Sequence, residues 1–480
     1  MERQDSFYID GRWVKPATSN VITVISPANE EVIGTTPEGM PADIDRAVAA
    51  ARNAFDNGPW PRMTPQARAD VLAKMAAYLH ERASESGSFL TDETGTVIAQ
   101  NEGAAQTYAM WINYYADLAR NYSYETVRKG VFADVTVRQE PVGVVAAILP
   151  WNGPLFMLIV KLAPALAAGC TAVAKPPPET PLSSRYLAEA ATAAGLPPGV
   201  LNIVAGGRET GDYLVRHRGI DKVSFTGSTA TGRKIGAICG EHMKRMSLEL
   251  GGKSAAVVLE DASVETVVNV AVPWGLAGNN GQACLAMTRI LLPRSRYREF
   301  TEAITDYVRA LKTGDPQDRT TFIGPLIAER QRTRVEGYIA AGRDAGARIT
   351  IGGGRPSHMK RGWYVEPTVF ADVSNDMKIA REEIFGPVGV LIPYDGDEDA
   401  VRIANDSVYG LGGGVFSSDV KRAFNIARQI RSGMIGINQY VLEPNGPFGG
   451  FKASGVGREL GPEGFENFLE TKTIIGVEPA

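Results

Sequence analysis

Cysteine is scarce in this sequence, with Cys170, Cys239 and Cys284 the only three among 480 residues. An odd count at wide spacing excludes a disulfide framework, and no pair stands close enough to read as a zinc knuckle. Histidine is nearly as rare, four residues with no ligand cluster, so a site without metal is expected. An excess of one charge is also missing. The 50 basic and 54 acidic residues leave a formal charge of −4, which gives no electrostatic footprint for nucleic acid or an anionic membrane and points to small-molecule partners. The one long uncharged run, Pro141 to Val160, carries Pro150, Asn152, Gly153 and Pro154 at its centre, where a membrane helix would leave backbone groups unsatisfied. The opening "MERQDSFYIDGRWV" lacks the apolar core of a signal peptide, and with so few thiols a reducing, cytoplasmic setting is expected. The strong nucleotide fingerprints are absent as well. No G-x-G-x-x-G follows a strand, and "GSTATGRK" misses the phosphate-loop pattern because Arg233 stands where lysine is required.

What is present is an ordinary globular composition, 44% apolar, in a chain long enough for two or three domains. The first hundred or so residues read as mainly helical, as in "PADIDRAVAAARNAFDNGPW" and "QARADVLAKMAAYLHERASESGSFLTDETG", where apolar residues return every three or four positions. From Phe132 the period changes to near alternation, predicting a strand pair or ribbon and then a buried strand. A repeating unit follows: strand "VGVVAAIL", helix "LFMLIVKLAPALAAG", strand "TAVAKP", helix "PLSSRYLAEAATAAG", strand "VLNIVAG", a short helix, and strand "KVSFTG". Gly169 and Gly195 serve as helix stops, and the alternation predicts a parallel α/β sheet. Such sheets bind ligands at the carboxyl ends of their strands, which selects the loops "PWNGP", "KPPPETP", "AGGRETG" and "TGSTATG". A boundary is expected near Gly251 and Gly252, with a second α/β domain running to about residue 469.

Several residues have a chemical and a bland reading side by side. Cys284, in "NNGQACLAM", is either a buried structural thiol or an exposed nucleophile. Glu249, ending an apolar run before two glycines, is either a carboxylate raised toward a general base or a partner of Lys253 or Arg245. Asn152 is placed to donate to an oxyanion or simply to make a turn. Gly227 and Gly232 flank a turn bearing Ser228 and Thr229 that is either a phosphate seat at a helix start or a plain glycine turn. Lys175 reads as a ribose ligand or, without further information, a surface residue.

The segments "LPWNGP", "AKPPPETPL", "FTGSTATG", "LELGGKS", "NNGQAC", "EEIFGPV" and "PFGGFKASGVGRE" occur in order along nearly the whole chain, and together they resemble the NAD(P)-dependent, non-acylating aldehyde dehydrogenases. The resemblance implies an α/β fold with a Rossmann-type cofactor domain (1–122 and 142–251), an α/β catalytic domain (252–469) and a small oligomerisation ribbon (123–141 and 470–480). It implies that the Cys284 thiolate attacks an aldehyde to give a thiohemiacetal, with Asn152 and the Cys284 amide holding the oxyanion. Hydride loss then leaves a thioester that water, activated by Glu249, hydrolyses to the acid. Lys161 and Glu459 match positions proposed to relay protons from that base. For the cofactor, NAD with NADP possible, it implies Glu383 and Phe385 at the nicotinamide ribose, Lys175 at the adenosine ribose and Ser228 at the pyrophosphate. Ile148, Pro150 and Trp151 belong to the same binding set, as do Gly207, Gly211, Phe225, Thr226, Gly227, Gly232, Leu250 and Gly251.

In one place the chain departs from the family pattern. Where NAD-preferring members carry a glutamate that would repel a 2′-phosphate, Pro178 stands here and Glu179 is displaced by one, so NAD against NADP stays open with NAD expected. By family match the aldehyde tunnel is lined by Met157, Val160, Gly278, Leu285, Tyr440, Val441 and Phe448. This neutral set predicts a hydrophobic aldehyde, aliphatic, terpenoid or aromatic, rather than a dicarboxylic semialdehyde. The family fold also implies that the ribbon and the tail "TKTIIGV" enter neighbouring subunits in a dimer or homotetramer. The competing readings are a coenzyme A-acylating relative and a non-catalytic binding or structural member of the fold.

Overall fold

The computed structural model describes residues 2–476. Its centre is an eight-stranded sheet in which five parallel strands lie in the order Arg245–Glu249, Lys222–Thr226, Val144–Ile148, Thr171–Lys175 and Leu201–Ile203. Four of these are the strands expected from the alternation, and Arg245–Glu249 adds a fifth. They are buried on both faces because helices cover both sides, as a parallel sheet demands. One covering helix, Pro154–Ala168, is apolar nearly all round and correspondingly buried; Gly169, at φ 99°, ends it in the left-handed conformation that glycine adopts without penalty.

The opening residues depart from expectation. The stretches singled out as helical do fold as helices Pro41–Asp56, Pro65–Glu81 and Ala83–Thr94, and a fourth runs over Ile98–Asn121. Between residues 2 and 37 the elements are strands instead. Phe7–Ile9 and Arg12–Val14 extend the main sheet by antiparallel pairing, and Val21–Ile25 pairs with Val32–Pro37 in a sheet of its own. Val21–Ile25 shows the alternating exposed and buried pattern of a half-buried strand, a period-two signal in "VITVI" that the helical reading passed over.

A second sheet of seven strands, Arg289–Pro293 at its middle, is parallel except for Arg348–Ile351 at one edge. The chain then crosses back: Gly455–Val456 pairs antiparallel with Arg245–Glu249 and becomes the outer strand of the first sheet. Strands Glu125–Arg128, Val135–Pro141 and Leu469–Ile475 form a separate antiparallel ribbon. The tail pairs along Leu469–Ile475 with Val135–Pro141 of the same ribbon; residues 477–480 lie outside the described residues. Among the described residues no helix is long and apolar enough to cross a membrane.

Candidate active site

A cavity of about 860 Å³ opens at the carboxyl ends of the parallel strands, where the sheet order predicts a ligand. Cys284, Glu249 and Asn152 all line it. The chain delivers Cys284 on a tightly constrained loop. Asn279 and Asn280 are left-handed (φ 51° and 56°), and Gly281 follows at φ 73°. A Cβ on Gly281 would sit 2.2 Å from the Gly386 carbonyl carbon, so only glycine fits there. Asn280 is fully buried and ties the loop to the body of the molecule: Nδ2 donates to the carbonyls of Gly95 and Pro325, both at 2.9 Å, and Oδ1 accepts from the Gly324 amide at 2.7 Å. The Gly252 backbone approaches so closely that a Cβ there would lie 2.2 Å from the Cys284 carbonyl oxygen.

Asn152 donates from Nδ2 to the Gln282 carbonyl at 2.8 Å, and Asn279 Nδ2 donates to the Asn152 carbonyl at 2.5 Å. One hydrogen of the Asn152 amide is thereby fixed and orients the other, which stays available to an oxyanion in the cavity. Glu249 ends its strand 1% exposed, and neither carboxylate oxygen has a hydrogen-bonding partner among the described residues. Among the described residues the bland pairing does not occur: Arg245 binds Glu470 instead, and Lys253 Nζ has no hydrogen-bond partner. Burial, then the nearby Glu459 carboxylate, pushes Glu249 well above the carboxylate range, while Lys161 and Arg458 oppose the rise. Burial likewise raises the Cys284 thiol, with Glu383 and Glu249 adding to it. A positive charge or a base at the cavity would favour the thiolate.

Behind the wall, Lys161 donates to Glu459 at 2.5 Å, both side chains buried. Lys175 is not on the surface: it is 5% exposed, and Nζ donates to the Gly206 carbonyl at 2.7 Å and to the Pro176 carbonyl at 3.2 Å, with burial lowering it to about 8. Ser228 caps the helix Thr229–Glu241, accepting from the Thr231 amide, and this helix start faces the cavity. Glu383 is raised to about 7 by burial despite accepting the Gly252 amide at 2.9 Å. Arg334 and Gln331 hold this segment by donating to the carbonyls of Glu383 and Phe385, each at 2.6 Å, and Phe385 meets Trp151 edge-on at 5.2 Å.

Ile148, Pro150, Trp151, Pro178, Gly207, Gly211, Phe225, Thr226, Gly227, Leu250 and Gly251 line the cavity, as do Met157, Val160, Leu285 and Phe448. Other expected residues stand off it. Glu179 is ion-paired with Arg330, and Gly232 packs under Leu250. Gly278 is outside the lining, and Val441 is exposed. Tyr440 is a supporting residue, its hydroxyl donating to the Leu285 carbonyl at 3.0 Å. Lining residues not singled out in the sequence include Arg208 and Lys234, within segments already quoted, and Phe156, Leu442, Gln331 and Arg334.

The arrangement combines a thiol, an amide aimed at an oxyanion position, a desolvated carboxylate and a long cleft with a helix start and a buried lysine. Known proteins are similar to this chain in sequence and in structure. The chain is 45% identical to a geranial dehydrogenase from Castellaniella defragrans, over 97% of this chain and 98% of that one. It superposes on an aldehyde dehydrogenase from Mycobacterium tuberculosis solved with NAD+ (TM-score 0.97, 50% identity, 99% and 98% of the two chains). It also superposes on aldehyde dehydrogenase C from Pseudomonas syringae, solved as a mutant with NAD+ and octanal (TM-score 0.94, 41% identity, 99% and 97% covered). The model of the aldehyde dehydrogenase family matches residues 13–474, and the chain belongs to that family.

Proposed function

We propose that this protein oxidises a hydrophobic aldehyde to its carboxylic acid with NAD+, through a thiohemiacetal and a thioester on Cys284. The convergence of Cys284, Asn152 and Glu249 on one cavity carries the reading. The residues present suit the cofactor. The helix start at Ser228 suits a pyrophosphate, Lys175 and Glu383 suit the two riboses, and the glycines at 207, 211 and 227 let backbone approach closely. When bound, NAD+ supplies the hydride acceptor and a cationic ring. Cys284 attacks the carbonyl, Asn152 and the Cys284 amide stabilise the oxyanion, and Glu249 draws a proton from the water that cleaves the thioester. A base placed at the cavity favours water over coenzyme A as acyl acceptor. The free thiols fit a reducing cytoplasm, and exposed Val131 and Phe132 at the tip of the ribbon suit it to meeting a second copy in a dimer or tetramer.

Phe156, Met157, Val160, Leu285, Leu442 and Phe448 form an apolar wall with no cation among them to anchor a second carboxylate. The relatives named for geranial and solved with octanal point the same way. A panel of aldehydes with either nicotinamide cofactor, followed by cofactor reduction, should give a higher specificity constant for medium-chain, terpenoid or aromatic aldehydes than for succinic semialdehyde. The opposite order would refute the substrate class, and no turnover with any aldehyde would refute the activity.

Cofactor choice turns on Pro178, which lines the cavity beside Lys175, Arg208 and Lys234, while the displaced Glu179 is held by Arg330. Pro178→Glu should lower the NADP specificity constant relative to NAD by about tenfold or more, roughly 1.4 kcal/mol of repulsion against a 2′-phosphate. An unchanged ratio would mean that the 2′ position lies elsewhere.

A further inference from the structure

The loop that delivers Cys284 is gripped from outside the cavity by the joint between two helices. Helix Ala83–Thr94 ends at Gly95, left-handed at φ 75°, and the next helix, Ile98–Asn121, begins soon after. The joint is tightly packed. A Cβ on Gly95 would lie 2.8 Å from the rings of both Pro27 and Pro325, and one on Gly324 would lie 2.2 Å from the Gly95 carbonyl oxygen. Thr96, 5% exposed, is held through its own backbone: its amide donates to Thr94 Oγ1 at 3.2 Å, and its carbonyl accepts from Asn101 Nδ2 at 3.2 Å. The Ile98 amide donates to the Pro316 carbonyl at 2.8 Å.

From this joint, contacts reach two successive residues of the cysteine loop. Thr96 Oγ1 donates to Asn279 Oδ1, Gln100 Oε1 accepts from the Asn279 backbone amide at 2.9 Å, and the Gly95 carbonyl accepts from Asn280 Nδ2 as described above. Two left-handed residues in a row, neither of them glycine, persist only where their surroundings over-determine them, and the joint supplies much of that constraint. Asn279 in turn faces two carbonyls: its Nδ2 donates to Asn152 at 2.5 Å and to Gln282 at 3.1 Å. Both N–H bonds are thereby used, which fixes the amide plane and turns the oxygen to Thr96, whose hydroxyl must be the donor. A flipped amide would set its oxygen against the two carbonyls. The Gln282 carbonyl also accepts one hydrogen of the Asn152 side chain, at 2.8 Å.

We propose that Thr96 and Gln100 are positioning residues for the oxyanion site and act through Asn279. This rests on the roles proposed above for Cys284 and Asn152. As the Cys284 sulfur bonds to the carbonyl carbon, the C=O π pair moves onto oxygen, and that oxygen needs two donors at once, the free N–H of Asn152 and the Cys284 amide. Asn279 holds the carrier of each: the Asn152 main chain directly, and the Cys284 main chain through the Gln282 carbonyl two residues before it. Neither Thr96 nor Gln100 lines the cavity, so they act only on where those donors point. A misplaced donor still meets the aldehyde oxygen in the ground state but forfeits the stronger bond that the developing charge would make.

Thr96→Val keeps the shape of the side chain and removes the donor; Gln100→Leu removes the acceptor and serves if the valine variant does not fold. In rapid-mix experiments each should slow the first-turnover release of reduced nicotinamide by about tenfold, a fraction of the roughly 10²- to 10³-fold that loss of a whole oxyanion donor costs. NAD+ affinity, read by fluorescence, should be unchanged. So should alkylation of Cys284 by iodoacetamide, in which the thiolate displaces iodide and no oxygen takes up charge. Thr96→Ser and Gln100→Glu, which keep a donor and an acceptor, should recover most of the rate. An unaltered first turnover in both Thr96→Val and Gln100→Leu would overturn the positioning role, and so would alkylation that falls in step with it, because the whole loop would then have moved. An Asn152→Ala control separates the two readings: if it slows the first turnover while the joint variants do not, only the positioning fails; if it too reacts normally, the oxyanion assignment fails and the positioning with it.

Discussion

In Cys284→Ala, aldehyde oxidation should fall by roughly four orders of magnitude or more, the scale set by removing the nucleophile of a covalent mechanism. The other two thiols provide the contrast. Cys170 is fully buried with Sγ donating to the Phe468 carbonyl, Cys239 is buried in a helix, and neither lines the cavity. Alanine at either should leave turnover largely intact. Measuring reduced nicotinamide against a saturating aldehyde decides the matter, with cofactor binding to the Cys284 variant checked by fluorescence to show that the cleft is formed. Appreciable dehydrogenase activity without the Cys284 thiol would remove the covalent mechanism altogether.

Glu249→Gln separates the two halves of the reaction. The glutamine keeps the shape of the side chain but cannot take a proton, so the first turnover should still release reduced nicotinamide and form the thioester. Hydrolysis should then slow by about 10²- to 10⁴-fold, the usual contribution of a positioned base. The pH profile carries a sign. Because burial and Glu459 hold Glu249 above the carboxylate range, its active, ionised form grows as pH rises, and hydrolysis should rise with pH through that raised value. In the glutamine variant this limb should flatten. Unchanged steady-state turnover, or an unchanged limb, would assign the base to another group.

Much of the site was legible before folding because its chemistry sits on short contiguous motifs. "LPWNGP", "LELGGKS" and "NNGQAC" each place one reacting side chain at the end of a strand or on a loop, and the strands following Phe132 could be read from their period. What could not be read depends on contacts between distant segments. Arg334 and Gln331 belong to a helix with no motif, and they reach the cavity only because that helix packs on the segment bearing Glu383. Glu179 looked like a nucleotide ligand until Arg330, about 150 residues on, claimed its carboxylate. Tyr440 and Val441 traded importance with Leu442 by a small turn of an irregular chain, which no periodicity governs. The opening strands were missed for a related reason: their short runs acquire meaning only when paired with residues far along the chain, as Tyr8 is with Ile203.

The return of Gly455–Val456 to the first sheet has a consequence for how the protein is made. The strand that ends in Glu249 is flanked on its outer side by a segment synthesised after the whole second sheet, and Glu459 lies just beyond it. While the chain is still emerging, most of the parallel core can gather, since domains tend to form from the N-terminal side during synthesis. The edge beside Glu249 stays open throughout that time, and the Lys161 amine waits in an apolar helix without its carboxylate. The surroundings of Glu249 are thus completed only after the whole second sheet has been made, so the topology ties the last step of assembly at this strand to the folding of both sheets.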